Sequence, residues 1–488
     1  MATTASLSPS QRIAVLPLSN ISPNPSDEYF ADGMTDELIA TLSKLSGLGV
    51  IARTSILRYK GLTKTVAEIG KELDVATVLE GSVRIAGKKI RITAQLIDTT
   101  TEEHVWSEVY DRELEDIFAI QSDIARRIAQ ALQVKILKEE GTRIETKATE
   151  KPEAYKLYLK GRLLLNARTE KSLQQAVETF EQALEKDPNY ELAYTGLADA
   201  HAVLALLEFV PPKQAFPRAK AAAEKALELD KDLAEAHTSL GVVKFQYDWD
   251  PDGAEKEFKK AIELSPNHAP AHQFYADCLK ASGRFDEALA QMKQASRLDP
   301  MSLSINTGIG HVLYLSRNYD RAIEQYRETV KLDPNFLQAR LWFGRPFLQK
   351  GMYKEALAEL TEAAKLSGNS TVSLATLGQA YAAAGDRKQA QKILDRLKDR
   401  SKKQYVPSYW IALLYVSLAD KRQAFEWLDR AFEERSSWLA WIKVEPRFDP
   451  IRSDPRFATL LQRMGLLGRD EPVPSKEIGI SGWLKGPK

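Results

Sequence analysis

The chain has 488 residues, 44% of them hydrophobic and 28% charged, which is too long for one compact core and ordinary in composition for a soluble protein. Lys+Arg number 68 and Asp+Glu 67, and a formal charge of +1 supplies no global field towards nucleic acid or an anionic membrane. One cysteine, Cys278, excludes an intrachain disulfide, and no apolar run approaches the ~20 residues that a membrane helix needs.

Residues 1–11 are polar, lack a signal core and read as a tail. "RIAVLPL" is the continuous apolar run of a strand covered on both faces. Residues 34–45 place Leu38, Leu42 and Leu45 on one helical face, with Thr35 as the expected N-cap. "GVIAR" gives a second strand, and "TVAEIGKELDV" a second helix capped by Thr65. A strand over Thr77 to Ile85 turns at Ala86-Gly87-Lys88 into "KKIRITAQLID", where Ile90, Ile92, Ala94 and Leu96 alternate with polar residues. "HVWSEVY" follows, and a helix over 116–137 carries an isoleucine stripe to lie across the sheet. Residues 12–140 are therefore expected to form a small α/β domain of order β-α-β-α-β-β-β-α, followed by a linker at 141–151.

A different grammar begins at residue 152. Ala288, Ala322, Ala356, Ala390 and Ala424 recur every 34 residues. A small residue recurs in step at Ala276, Gly310, Gly344, Gly378 and Ala412, beside Tyr275, Ile309, Phe343, Leu377 and Ile411. Two helices approach closely only where side chains are short, so the small residue of the first helix is expected to face the alanine of the second. Asp299-Pro300 and Asp333-Pro334 end second helices, and Gly283, Arg317-Asn318, Gly351 and Gly385 mark the hairpin turns. Looser units precede these, one around Leu240, Gly241, Ala254 and Phe258, one with an insertion from Glu208 to Phe216, and a first with Tyr158, Gly161, Ala176 and Phe180. The pattern resembles the tetratricopeptide repeat and implies an all-α solenoid of about eight repeats over 152–436. "WLAWIKVEPRFDPIRSDPRFATLLQRM" breaks the period, and 437–467 reads as a cap in which Phe457, Leu460 and Leu461 close the last hairpin. Residues 468–488 read as a loose tail.

The strings "IAVLPLSNISPNPSDEYFADGMTDELIATLSKLSGLGVIARTS", "VLEGSVRIAGKKIRITAQLID" and "HVWSEVYDRELEDIFAIQSDIA" look like the TolB-like (FlgO-like) amino-terminal domain of bacterial signalling proteins. In that family a tetratricopeptide array follows, and an adenylyl cyclase, a Ser/Thr kinase or a winged-helix module usually precedes. Only eleven residues precede the first strand here, so the resemblance implies a sensor or scaffold half without its output half. The expected compartment is the cytoplasm, or the periplasm for a piece of a membrane-anchored relative.

Motifs for chemistry are sparse. No phosphate-cradling glycine loop follows the first strand. His268 and His272 are four apart but separated by Pro270, without neighbouring cysteine, so no metal is expected, and no cofactor. Cys278 reads as a buried thiol. Asp27-Glu28 and Asp36-Glu37 read as helix N-terminal charge. The basic run Arg396 to Lys403 lacks interleaved aromatics, and nucleic acid is not indicated.

A non-enzymatic interaction role is therefore expected, with a partner peptide or helix in the concave groove lined by first helices. Carried over from the repeat's groove-facing positions, the candidate site residues are Gln273, Asp277, Lys280, Thr307, His311, Tyr314, Gln338, Arg345, Gln349, Gln379 and Tyr409. The Lys/Asn clamp of some relatives is not reproduced, so a C-terminal carboxylate ligand is not indicated. As surface residues, Arg345, Tyr314 and Gln379 should be replaceable together by alanine without loss of stability. Two alternatives stay open: the regulatory portion of an adenylyl cyclase, Ser/Thr kinase or winged-helix transcription regulator lacking its output domain, and a small-ligand sensor in the α/β domain.

Overall fold

A computed structural model describes residues 11–113, 116–145 and 149–467; the expected tails at 1–10 and 468–488 and positions 146–148 of the expected linker lie outside them. A small mixed-sheet domain leads into a long helical array. β1 (Arg12–Val15) continues past Pro17 to the short β2 (Ser19–Asn20), and both run parallel to a later strand, β4. β3 (Gly49–Val50) pairs with β1 on its other side. β4 (Thr77–Ala86), β5 (Lys89–Asp98) and β6 (His104–Glu113) form an antiparallel meander, giving the order β3-β1-β4-β5-β6. Ile13, Ala14 and Val15 are buried because helices cover both faces of the parallel part, whereas β5 alternates inward and outward.

Helix α1 (Glu28–Ser43) starts well before the position expected from the leucine spacing. Thr35 is not its N-cap: the hydroxyl donates to Ala31 O at 2.9 Å and accepts from Leu18 N at 3.0 Å, inside the helix. Gly33 lies inside the helix. Its real use is a close approach, since a Cβ there would stand 2.8 Å from Leu159 Cδ2. Asp36-Glu37 is likewise mid-helix and buried, with Asp36 paired to Arg53, rather than helix-terminal charge. After α2 (Arg53–Ile56), Thr65 caps α3 (Val66–Leu73) through a capping box with Glu68. α4 (Ile117–Ala131) lays its isoleucines over the sheet but stops short of 137, where Gln133 turns left-handed and Val134 N donates back to Ala129 O. A further helix, α5 (Lys138–Glu145), follows; Glu140 accepts from Ser46 N and Oγ and fastens it to the domain.

Eight helical hairpins follow among the described residues, each with a first helix A and a second helix B. Their A helices are Pro152–Asn166, Glu191–Leu206, Ala234–Val243, Ala269–Ala281, Leu303–Leu315, Leu337–Gln349, Thr371–Ala383 and Ser408–Ser417. The hairpin turn of repeats 4 to 8 places Gly283, Arg317, Gly351, Gly385 and Ala419, 34 apart, in the left-handed region. The recurring alanines are buried, but the glycines do not face them. Gly241, Gly310 and Gly344 lie under Phe258, Tyr326 and Leu360 of their own B helices, where a Cβ would come within 2.5–2.6 Å. A large side chain laid over a bare backbone, rather than small against small, sets the helix separation.

The α/β domain is docked on this array. On repeat 1, the Tyr155 hydroxyl lies 2.9 Å from Gln121 Nε2, and Tyr158 donates to Glu37 at 3.2 Å. Further along, the domain straddles the turns between repeats. Asn267 Nδ2 is shared among the carbonyls of Ser43, Leu45 and Leu48, and Ala52 N donates to Leu298 O at 2.7 Å. Ser55 Oγ donates to Asp299 and accepts from Met301 N. No helix among the described residues is long and apolar enough to cross a membrane.

Candidate functional site

The concave face of repeats 4 to 8 is covered by the chain itself. After the last B helix (Lys421–Glu433), the backbone folds back through two 3-10 turns, Ser437–Trp441 and Pro446–Ile451, against the A helices. Only then does a short helix, Pro455–Arg463, cover the end of repeat 8, with Phe457, Leu460 and Leu461 buried and Arg463 reaching Asp429 at 2.5 Å. The expected cap thus comprises two parts, and the first part lies inside the groove.

Aromatic side chains hold that segment. Trp438 packs on Trp410 at 5.0 Å, Trp342 at 6.0 Å and Tyr409 at 6.3 Å between ring centres. Trp441 meets Phe245 at 5.4 Å and His311 at 6.1 Å, with the Lys280 ammonium 5.8 Å from its ring. Phe448 lies 5.6 Å from Tyr409. Polar contacts fix the register: Tyr314 OH donates to Glu445 Oε1 at 2.8 Å and Arg317 Nη2 to Asp449 at 3.0 Å, while within the segment Arg447 Nη2 donates to Glu445 Oε2 at 2.7 Å. Burial opposes ionisation of Glu445, but the Arg447 guanidinium, the Arg345 charge and the Tyr314 hydroxyl together outweigh it and hold the carboxyl at about 2.

Glu208, in the A–B turn of repeat 2, reaches across the spiral to the same place. Its Oε1 accepts from the indole nitrogens of both Trp410 and Trp438 (2.8 Å to the latter), while burial pushes the carboxyl up to about 7 against those hydrogen bonds. Repeat 3 joins it: Trp249 meets Phe432 at 5.3 Å, and the Arg435 guanidinium lies 4.6 Å from the Trp249 ring. The curvature closes the array on itself.

The expected groove residues are not the open surface that their spacing implied. Lys280, Thr307, His311, Tyr314, Arg345, Gln379 and Tyr409 are all buried. Gln338 is exposed, Asp277 and Gln349 are half-buried, and Gln273 donates to Ser304 Oγ on the next A helix. His272 does not face a ligand: its ring nitrogens engage Gln291 Oε1 and Pro266 O. Cys278 is buried, its thiol pushed up to about 12. The residues missed by sequence reasoning are Glu208, Trp342, Trp410, Trp438, Trp441, Glu445 and Arg447. The signal available was tryptophan, since Trp342, Trp410, Trp438 and Trp441 are half of the eight in the chain.

Helical hairpins with this packing are tetratricopeptide repeats in the C-terminal region of the chain. Residues 250–304 and 347–414 match one tetratricopeptide repeat model, and 307–371 another. Residues 9–128 match the model described as the second domain of HilA/YgeH-like transcriptional regulators. Among curated proteins, the chain is 40% identical over 235 residues to a Rhizobium meliloti protein assigned as adenylate cyclase 3, covering 47% of this chain and 39% of that one. It is 32% identical over 142 residues to the transcriptional regulator HilA of Salmonella typhimurium, covering 29% of this chain and 26% of HilA. The chain therefore spans well under half the length of these relatives. The solved structure of PilF from Pseudomonas aeruginosa aligns with a TM-score of 0.34 and 22% identity, over 46% of this chain and 96% of that one.

Proposed function

We infer that the chain is a non-enzymatic protein-interaction scaffold that takes a partner peptide or helix in the concave face of its tetratricopeptide array. The observation that carries this reading is the segment 437–452, a stretch of irregular polypeptide already seated there by Trp438, Trp441 and Glu445. A surface that binds one such segment by aromatic stacking and one anchored carboxylate has the chemistry to bind another. The test is a fluorescein-labelled peptide of residues 437–452, titrated against the full chain carrying Trp438→Ala and Trp441→Ala. Saturable binding is the expected outcome; a flat anisotropy trace would remove the groove from consideration.

A second reading concerns the α/β domain. Its match to the second domain of HilA-like regulators, and the 235-residue likeness to the protein assigned as a cyclase, favour a regulatory portion of a signalling or transcription system. The TolB-like resemblance belongs to the same reading, as does a small-ligand sensor in that domain. Thermal shift of the full chain against a metabolite library, followed by a repeat with Asn267→Ala, tests whether ligand binding and docking are linked.

A further inference from the structure

The contact between segment 437–452 and the groove is well packed in its apolar parts and poorly matched in its polar ones. Several buried polar side-chain atoms without a hydrogen-bond partner among the described residues lie at this contact. On the groove side they include all three Arg345 nitrogens and Nε2 of His311; on the segment side, Ser437 Oγ, Trp441 Nε1 and two nitrogens of Arg447. Arg345 is only 1% exposed, so bulk water does not reach it.

The charges show the same mismatch. Lys280 is paired with Asp277, Arg447 with Glu445, and both Arg317 and Arg452 with Asp449. Arg345 has no hydrogen-bonded carboxylate. Its guanidinium carbon lies over the Trp342 ring, 3.8 Å from the ring centre, and 5.9 Å from that of Trp410. That contact gives the N–H donors of the guanidinium no acceptor. Burial first, and the Arg447 charge second, lower Arg345 to about 10, against the through-space attraction of Glu445, whose oxygens are hydrogen-bonded by Arg447 and Tyr314 rather than by Arg345. An arginine that served only packing would be better replaced by an apolar residue of the same volume. Trp342 and Trp410 are also the two indoles on which Trp438 sits, so the unmatched cation adjoins the anchor of the segment.

We propose that residues 437–452 are an internal substitute for the partner, and that the partner displaces them by bringing a side-chain carboxylate to Arg345. This rests on the groove reading above. The substitute supplies the aromatic contacts and one carboxylate, Glu445, which Arg447 and Tyr314 already use. A partner segment with a tryptophan or comparable aromatic beside an aspartate or glutamate would reproduce the first and add the missing acceptor. The polar mismatch is what makes exchange thermodynamically possible, because an incoming ligand needs only a differential affinity over the resident segment.

Two measurements on the full chain decide this. Arg345→Met keeps the stacked stem and removes the unmatched charge, so the thermal midpoint should rise by about 1–3 °C; a lowered midpoint would make Arg345 a structural residue and end the proposal. In the Trp438→Ala, Trp441→Ala background, the labelled 437–452 peptide is compared with the same peptide carrying Ser437→Asp, the position whose own hydroxyl lacks a partner. The aspartate peptide should bind about tenfold tighter, consistent with one charged hydrogen bond, and adding Arg345→Met should abolish that preference. Equal binding of both peptides to the Arg345 protein would overturn the carboxylate inference and leave the groove reading standing. If neither peptide binds, the groove reading fails with it.

Discussion

Ala356 shows how far single residues were legible. Its recurrence every 34 positions marked it as a packing residue, and it is fully buried in repeat 6, in the same hairpin as Gly344 and Leu360. Ala356→Leu should overpack that hairpin and cost ~1–3 kcal/mol, read as a lowered urea midpoint with unchanged slope. What recurrence could not convey was depth. Arg345, Tyr314 and Gln379 occupy groove positions but are buried, so their joint replacement by alanine will not spare folding. Loss of the Tyr314 ring alone, with Glu445 left short of a donor, should cost on the order of 3–5 kcal/mol. Glu37 is a residue of a second kind, polar and buried where the sequence suggested surface. Burial, opposed by Arg162, raises its carboxyl from 4.5 to about 7. The folded state therefore holds this proton more tightly than the unfolded chain. The stabilisation is complete below pH 4.5 and is lost as pH rises towards 7. Glu37→Gln should flatten that part of the stability–pH curve, which chemical denaturation between pH 4.5 and 7.5 would reveal.

At the level of elements, periodicity identified every hairpin of repeats 4 to 8, because the same close approach must be solved in each one. It failed where an element answers to something distant in sequence. Helix α1 begins at Glu28 because Phe30, Ala31 and Met34 are covered, and Gly33 is there for Leu159 of repeat 1. The segment 437–452 has the composition of a cap, apolar and aromatic, and composition alone does not say which surface it covers. Its Trp438 and Trp441 tie it to Glu208, Trp410, Phe245 and His311. The double alanine variant should lose about 3–5 kcal/mol per ring or less where the site relaxes, while retaining helical circular dichroism. It should also gain protease cleavage within 437–452; an uncut segment would mean that the tryptophans do not hold it in place.

In the molecule as a whole, the two domains are one packed unit rather than beads on a linker. Asn267, from a turn that reads as ordinary solvent-exposed sequence, gives its amide to three carbonyls of the α/β domain. Asn267→Ala takes the side-chain donor from Leu48 O, while Ser43 O keeps Ser265 Oγ and Leu45 O keeps Leu48 N, and should lower the midpoint by an amount equivalent to ~1–3 kcal/mol, with hydrogen exchange rising at residues 43–48. Neither this docking nor the closure of repeat 2 on repeat 8 could be read from a repeat length, since curvature is the sum of small rotations that spacing does not encode. One helix carries a consequence of the arrangement. Leu303–Leu315 begins just beyond Asp299 and Met301, which Ser55 grips, and ends at Tyr314, which holds Glu445. With ~1.5 Å of rise per residue it is a stiff rod nearly 20 Å long, anchored to the sheet domain at its first turn and to the tryptophan-bearing segment at its last. Any tilt imposed at one end is delivered to the other as leverage.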